Sequence, residues 1–262
     1  INLLYSKVMK KRIIPSLLLN QGTNVCLSKQ FSPWRTIGAL TQNLRLHVQR
    51  SADELLIINL NCAGNSETAI SPRIFSIVRN EVDIPIAYAG GISCVDSAIA
   101  CINCGFDKVF VTSLLLDKPT TIEKISNIIG AQSLGVCIPY KSSDGHQYLW
   151  DYRQKSLTKI LLSDALSTAL SVGAGEVVLY NTDFDGTLQG LDLSVIELLQ
   201  ALDVDVPILL AGGAGSASDF SSALEADEVQ GVIAGSIFAL TKDTPLTIRE
   251  HCIAHGIAMR RP

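Results

Sequence analysis

A long internal repeat limits the folds that this chain can adopt. Residues 83–93 read DIPIAYAGGIS and residues 205–215 read DVPILLAGGAG, an offset of 122 positions in a chain of 262 residues. The segments ELLIIN, from Glu54, and EVVLYN, from Glu176, keep the same offset. A period of nearly half the chain is too long for a solenoid of short repeats. It indicates two homologous half-molecules within one fold.

Short apolar runs alternate with helical patterns along the chain. The runs are nearly continuous in apolar residues, which is typical of parallel strands buried on both faces. The predicted strands are Arg12–Leu18, Glu54–Leu60, Ile84–Ala89, Lys108–Thr112, Leu134–Ile138, Glu176–Asn181, Val206–Ala211 and Gly231–Ala234. The predicted helices are Thr36–Val48, Glu67–Val82, Val95–Cys104, Thr120–Ile129, Leu162–Val172, Leu193–Leu202, Ala217–Ala226 and Leu246–Ala254. Eight strand–helix units predict an α/β fold, a (β/α)8 TIM barrel with a twofold half-barrel internal repeat.

The length suits a single barrel domain over residues 1–262, because α/β barrels routinely reach this size as one unit. Within that domain we expect an N-terminal extension at residues 1–8. The half-barrels are expected at about 9–131 and 132–262, in agreement with the repeat.

Two connections are unusually long and polar. Asn20–Pro33 follows the first predicted strand, and Tyr140–Lys159 follows the fifth. Connections of this length in a compact domain are commonly functional lids or are disordered. Because both follow strands, we expect them on the face where barrel enzymes carry out their chemistry.

The composition argues against several classes of partner. With 21 basic and 25 acidic residues, the net charge of −4 gives no reason to expect nucleic acid or an anionic membrane. No apolar run reaches the roughly 18 residues of a membrane span. The first eleven residues lack the pattern of a signal peptide, so a cytoplasmic protein is expected. Seven irregularly spaced cysteines favour reduced thiols over a disulfide framework.

Each half offers a candidate phosphate site. In both halves a strand ends in Gly-Gly and a helix follows, so backbone N–H groups and a helix dipole can converge on one anion. The next strand ends in Thr112-Ser113 in one half and in Gly235-Ser236 in the other. The predicted phosphate-binding residues are Gly90, Gly91, Thr112, Ser113, Gly212, Gly213, Gly235 and Ser236. Two such sites suggest a phosphorylated small molecule with a phosphate at each end, whereas the simpler alternative is a pair of tight turns.

Charged residues mark both ends of the predicted barrel. Asp183 and Asp185, in the run DFDGT after the sixth strand, add carboxylates to the phosphate face, although an Asp-Gly turn is the alternative. Four other charges begin strands and therefore lie on the opposite face: Arg12, Glu54, Lys108 and Glu176. On position alone, these four predict a stabilising ion-pair network at the N-terminal end of the barrel.

An ordered set of motifs resembles the cyclase subunit of imidazole glycerol phosphate synthase, HisF. The motifs are KRIIP at 11–15, ADEL at 52–55, AGGI at 89–92, DKV at 107–109, GAGE at 173–176, DFDGT at 183–187, GGAG at 212–215 and SIF at 236–238. The resemblance runs from about Met9 to Arg260. It implies a barrel that binds a substrate with two phosphates and makes the imidazole ring, using ammonia from a glutaminase docked at the opposite end.

The resemblance also assigns roles to positions of this chain. One phosphate would be held by Gly91, Thr112 and Ser113. The other would be held by Asp185, Gly186, Gly213, Gly235 and Ser236. The four charged residues at the strand starts correspond to the gate through which ammonia enters the barrel.

The departures from the family pattern concern its chemistry. Leu18 and Pro139 stand where the family has its two catalytic aspartates, and neither side chain can exchange a proton. Cys26 replaces a lysine in the first long connection. Asn59 replaces an aspartate, and Phe184 replaces an arginine. These changes argue against normal cyclisation in the histidine pathway.

The leading hypothesis is a divergent HisF-like synthase subunit of a glutamine amidotransferase. It would form a heterodimer with a HisH-like glutaminase and pass ammonia to a phosphate-bearing acceptor, a nucleotide-linked acetamido sugar in surface-polysaccharide or lipopolysaccharide biosynthesis. The sequence contains no G-x-x-x-x-G-K-[ST] loop, so amide activation would require a separate ATP-dependent sugar amidotransferase. The barrel would then be an ammonia channel and binding module, without acid/base catalysis of its own.

Two alternatives remain open. One is an authentic cyclase of histidine biosynthesis in which Asp183 or Asp185 has taken over proton transfer. The other is a single-chain sugar-phosphate isomerase of the related half-barrel family, which leaves the four-charge set unexplained.

No metal or cofactor is predicted. His251 and His255 are spaced like metal ligands but lack a third partner, so a surface pair is favoured. Cys101 and Cys104 form a C-x-x-C pair within a predicted helix and are interpreted as buried thiols. Lys108 begins a strand, which places it on the wrong face for a Schiff-base lysine.

Overall fold

The computed structural model describes residues 10–62 and 71–260. The predicted N-terminal extension at residues 1–8 lies outside the described residues, as does the beginning of the helix predicted at Glu67–Val82.

Eight parallel strands close into a barrel, which confirms the predicted fold. In chain order the strands are β1 (Arg12–Asn20), β2 (Asn24–Lys29), β3 (Ser32–Ala39), β4 (Leu55–Asn59), β5 (Ile86–Ala89), β6 (Lys108–Val111), β7 (Leu134–Ser143), β8 (His146–Asp151), β9 (Ser156–Leu161), β10 (Glu176–Asn181), β11 (Ile208–Ala211) and β12 (Val229–Ala234). Around the barrel the order is β1, β4, β5, β6, β7, β10, β11 and β12, and β12 pairs with β1.

Helices connect the strands and cover the outside of the barrel. They are α1 (Leu40–Gln49), α2 (Pro72–Glu81), α3 (Val95–Asn103), α4 (Leu114–Asp117), α5 (Pro119–Ile129), α6 (Leu162–Ser171), α7 (Val195–Leu202), α8 (Ala217–Leu224), α9 (Ser236–Leu240) and α10 (Pro245–Ala254). None of the helices in the described part of the chain is long and apolar enough to cross a membrane.

The two long connections form ordered antiparallel hairpins. Strand β2 pairs with the end of β1 and with β3, and β8 pairs with the end of β7 and with β9. Because β1 and β7 open the two halves, the twofold repeat extends to these hairpins. The prediction that a helix begins at Thr36 was wrong for residues 36–39, because β3 continues to Ala39 and α1 begins at Leu40. Pairing with β2 outweighs the local helical pattern there.

Two apolar clusters build the core. The larger one fills the space between the outer faces of the strands and the helices. The smaller one fills the inside of the barrel, where Phe110 is the largest of its buried side chains. Its other buried members are Ile14, Leu56, Ala87, Ala89, Val178, Leu209, Ala211 and Ile233. Alternate residues of each strand face these two clusters, as expected for parallel strands buried on both sides.

Candidate functional site

The four charged strand starts meet at the N-terminal end of the barrel. Arg12 donates to Glu54 Oε2 over 2.8 Å and also to Glu176 Oε1. Lys108 Nζ donates to Glu176 Oε2 over 2.5 Å and lies 3.9 Å from Glu54 Oε1. The side chains are 2% to 15% exposed. Burial alone would lower the pKa of Arg12, but Glu176 and Glu54 raise it above its ordinary value. The four residues therefore form one network, in which the two carboxylates are buried and the two cations are mostly buried.

Two cavities open at the other end of the barrel. The first-half cavity, about 360 Å³ in volume, is lined by Gly90, Gly91, Thr112 and Ser113. The second-half cavity, about 390 Å³ in volume, is lined by Asp185, Gly186, Gly212, Gly213, Gly235 and Ser236. The structure therefore brings each predicted phosphate set together in the wall of a single cavity. That these residues bind phosphate stays a prediction.

The helix N-termini beside the Gly-Gly turns are capped by the chain itself. At α8, Asp219 Oδ2 accepts from the N–H groups of Gly215 and Ser216 over 2.8 and 2.9 Å. At α3, Ser97 Oγ accepts from the N–H groups of Ser93 and Cys94, both over 3.2 Å. Backbone N–H groups at the starts of these two helices were predicted to converge on an anion. The four N–H groups named here instead donate to capping side chains of the chain itself. The glycine turns, and the strand ends beside them, remain as the backbone predicted to face an anion.

Of the two positions where the family has its catalytic aspartates, only Leu18 is among the described residues that line the cavities. Leu18 is buried and lines both cavities. Pro139 is buried on β7, where it pairs in register with Tyr180 of β10. Cys137 lies two residues before Pro139 on β7 and on the wall of the first-half cavity, and burial raises the pKa of its thiol to about 12. A thiol that is protonated at neutral pH does not replace a carboxylate as a base.

Asp185 is a structural acceptor in the wall of the second-half cavity. It is 5% exposed. Its Oδ2 accepts from Ser28 Oγ over 2.7 Å and from the Phe31 N–H over 3.0 Å. Its Oδ1 accepts from Tyr180 OH over 2.8 Å. Burial, followed by the charge of Asp185, raises the pKa of Tyr180 well above its ordinary value. Asp185 therefore fastens the β2–β3 hairpin to the end of β10.

Asp183 lies outside the two cavities, although it was predicted to be catalytic. Its Oδ1 is 3.0 Å from Lys141 Nζ, and its Oδ2 accepts from the Ser142 N–H over 3.3 Å. The ammonium group of Lys141 also lies 4.3 Å from the ring centroid of Trp150. Asp183 is not among the described residues that line either cavity. The two predicted catalytic aspartates therefore occupy different environments, one buried and saturated with hydrogen bonds, the other partly exposed and ion-paired.

Aromatic rings from both hairpins meet over the mouth of the barrel, a feature that the sequence did not reveal. Phe31 lies edge-on to Tyr180, with 4.8 Å between ring centroids, and edge-on to Tyr152 at 6.5 Å. Phe31, Tyr152 and Tyr180 all line the first-half cavity. The symmetry-related positions of the two long connections were the available signal. An aromatic and aliphatic centre therefore separates the two glycine turns.

The remaining candidate sites have ordinary structural explanations. The rings of His251 and His255 lie 4.2 Å apart, and His251 Nε2 is 3.3 Å from Ser221 Oγ. Over residues 10–62 and 71–260, no three potential metal ligands come together. Cys101 is buried, which raises the pKa of its thiol to about 12. Both cysteines of the C-x-x-C pair are free thiols, but the prediction that both are buried was wrong for Cys104, which is only partly buried.

Comparison with known proteins decides the family. Residues 12–244 match the sequence family described as "Histidine biosynthesis protein". This stretch contains all eight barrel strands and both hairpins. The chain belongs to this family. Membership in the histidine biosynthesis family agrees with the closed parallel barrel and confirms the resemblance to HisF.

Individual relatives align over most of their length. The chain is 30% identical over 253 residues to imidazole glycerol phosphate synthase subunit HisF of Exiguobacterium sp., which covers 97% of each chain. It is 31% identical over 235 residues to the HisF subunit of Maricaulis maris, which covers 88% of this chain and 91% of the relative. A Campylobacter jejuni protein provisionally named subunit hisF2 is 31% identical over 255 residues, with 97% and 99% covered. The family therefore includes HisF subunits and a second HisF-type protein.

Proposed function

We propose that this chain is the HisF-like synthase subunit of a glutamine amidotransferase that has given up cyclisation. A HisH-like glutaminase would dock at the N-terminal end of the barrel and release ammonia there. The ammonia would pass the Arg12–Glu54–Lys108–Glu176 network and leave at the end that carries the two cavities. The acceptor would be a phosphate-bearing molecule bound in those cavities.

One contrast carries this proposal. The four-residue network at the N-terminal end is complete and mostly buried, whereas the two positions that would supply proton transfer hold Leu18 and Pro139. Ring closure with incorporation of an amine needs general acids and bases, and these two side chains offer none. A barrel that keeps its entrance but lacks its proton-transfer pair suits the delivery of ammonia better than the formation of a ring.

The environments of the remaining carboxylates speak against an authentic cyclase. Asp185 already accepts three hydrogen bonds, and Asp183 pairs with Lys141 outside the cavity walls. Neither is free to act as a base at Leu18 or Pro139. Because the sequence has no G-x-x-x-x-G-K-[ST] loop for ATP, the proposal assigns activation of the acceptor to a separate ATP-dependent sugar amidotransferase. The acceptor class that suits this division of labour is a nucleotide-linked acetamido sugar of surface-polysaccharide biosynthesis.

The proposal is tested with the full chain and the HisH-like glutaminase from the same organism. We expect a one-to-one complex in size-exclusion chromatography and faster release of glutamate from glutamine when the barrel is added. We also expect that the gene does not restore growth to a cyclase-deficient histidine auxotroph, with a true HisF gene as the positive control. Growth of the auxotroph, or a glutaminase that neither binds nor responds, contradicts the proposal.

A further inference from the structure

The second-half cavity extends well beyond the predicted phosphate residues. One end is formed by the glycine turn at Gly213 and the strand end at Gly235. From there the cavity runs between α1 and α9. Its far end is lined by four residues that can carry positive charge. They are Arg35 of β3, His47 of α1, Arg50 at the C-terminal end of α1, and Lys242 after α9. We call this far end the outer arm.

The outer arm is rich in unpaired positive charge. Within the described ranges, Arg35, Arg50 and Lys242 form no ion pair with a carboxylate. The one carboxylate on the cavity wall, that of Asp185, already accepts three hydrogen bonds. Unpaired cations around a concave surface focus a positive potential that attracts an anion.

The first-half cavity shows the opposite arrangement. Its described wall holds one cation, Arg153. That guanidinium donates to Asp117 over 2.5 and 2.9 Å and to Asp151 Oδ2 over 3.2 Å. Its charge is therefore neutralised by the chain itself. Of the two cavities, as the described residues line them, only the second-half cavity has a surplus of positive charge.

His47 supplies an independent sign that the arm accommodates a ligand. Its side chain is 5% exposed, and its Nδ1 is buried with no hydrogen-bond partner among the residues described. Burial, reinforced by the charge of Arg50, lowers the pKa of His47 to about 4, so the ring is neutral at pH 7. A buried polar atom without a partner destabilises the protein unless a ligand provides one. A neutral imidazole can donate one N–H to an anionic oxygen.

From this arrangement we infer that the second-half cavity binds a diphosphate group. One phosphoryl group lies between the glycine turn at Gly213 and the strand end at Gly235, and the next lies in the outer arm among Arg35, Arg50 and Lys242. The inference rests on the proposed phosphate-bearing acceptor and narrows it to a diphosphate ester, the class that includes nucleoside-diphosphate sugars.

The geometry of a diphosphate supports placing both groups in one cavity. Its two phosphorus atoms share a single bridging oxygen. The two glycine turns, however, follow β5 and β11, which have β12, β1 and β4 between them on one side of the barrel and β6, β7 and β10 on the other. A diphosphate therefore cannot place one phosphoryl group at each turn. A ligand of this class must put both groups at the same end, and the second-half cavity has the unpaired cations to hold them.

The test compares inorganic pyrophosphate with inorganic phosphate by titration calorimetry on the purified full chain. We expect pyrophosphate to bind at least about tenfold more tightly than phosphate. Arg50→Gln and Lys242→Gln are each expected to weaken pyrophosphate about fivefold or more and phosphate less than about twofold. Arg73→Gln is the matched control, because Arg73 is an exposed cation on α2 outside both cavities and the change in net charge is the same.

Equal affinity for the two anions, or no binding of pyrophosphate, overturns the inference. It is also overturned if Arg73→Gln weakens pyrophosphate as much as Arg50→Gln does, since net charge alone then explains the binding. The experiment needs no glutaminase, so its failure is distinct from failure of the proposed function. A complex with the glutaminase but no preference for pyrophosphate overturns the diphosphate inference alone.

Discussion

Tyr180 donates its phenolic hydrogen to Asp185 over 2.8 Å, which joins the end of β10 to the loop that follows it. Because Ser28 and Phe31 also donate to this carboxylate, the β2–β3 hairpin depends on its charge. We expect Asp185→Asn to lower the free energy of unfolding by about 3 kcal/mol, since an amide nitrogen would then face hydrogen-bond donors. Urea denaturation followed by circular dichroism measures the change.

Asp183→Asn is the control for this variant. It removes the same charge two residues away, from a pair with Lys141 that is partly exposed to solvent. We expect it to cost less than about 1 kcal/mol. Equal losses for the two variants would show that Asp185 has no special structural role.

Equivalent glycines of the two halves, Gly90 and Gly212, lie very close to a backbone carbonyl group. A Cβ at Gly90 would lie 2.4 Å from the Asn59 carbonyl oxygen, and a Cβ at Gly212 would lie 2.2 Å from that of Asn181. Both glycines also have positive φ angles, +120° and +94°. We expect alanine at either position to cost about 3 kcal/mol, from backbone strain together with a steric clash.

Gly256→Ala separates these two contributions. Gly256 has a φ of +82°, but no heavy atom lies within 4 Å of its Cβ position. This variant is expected to cost about 1 kcal/mol, from backbone strain alone. Thermal or urea unfolding compares the three variants. If Gly256→Ala costs as much as Gly212→Ala, the close approach to Asn181 makes no difference to stability.

Strand and turn chemistry made the barrel predictable from the sequence, whereas contacts between distant segments did not. The eight apolar runs and the duplicated Gly-Gly located every barrel strand and both cavities. The helix predicted from Thr36 was wrong because pairing of β3 with β2, from Ser32 to Ala39, is a tertiary effect. Two of the three partners of the Asp185 side chain, Ser28 and Phe31, lie more than 150 positions away in the chain. Their hydroxyl and N–H groups carry no local signal of that pairing.

The buried imidazole of His47 makes stability depend on pH. Burial, followed by Arg50, lowers its pKa in the folded protein from 6.5 to about 4, so protonation favours the unfolded chain. The contribution is therefore fully present above pH 6.5 and is lost as the pH falls through that value towards 4. We expect a loss of about 3 kcal/mol across this window.

His47→Gln removes the titrating group and provides the comparison for this pH effect. We expect the difference in unfolding free energy between wild type and variant to change by about 3 kcal/mol between pH 7 and pH 4, measured by urea denaturation. Other titrating groups contribute equally to both proteins and cancel. A difference that is constant with pH would show that His47 is not buried as a neutral ring.

In the Arg12–Glu54–Lys108–Glu176 network, Glu176 is the residue on which two cations depend. Its carboxylate accepts from both Arg12 and Lys108, and its side chain is 2% exposed. We expect Glu176→Gln to lower the free energy of unfolding by about 3 kcal/mol or more, because it leaves buried positive charge without its partner. Glu81→Gln, which breaks a pair with the solvent-exposed Arg45, is expected to leave stability close to that of the wild type.

Urea denaturation of both variants in low salt and in 1 M salt checks the prediction. The loss at Glu176 should persist in high salt, because buried pairs are weakly screened; a loss that salt removes would mean that the four charges lie at an open, hydrated surface.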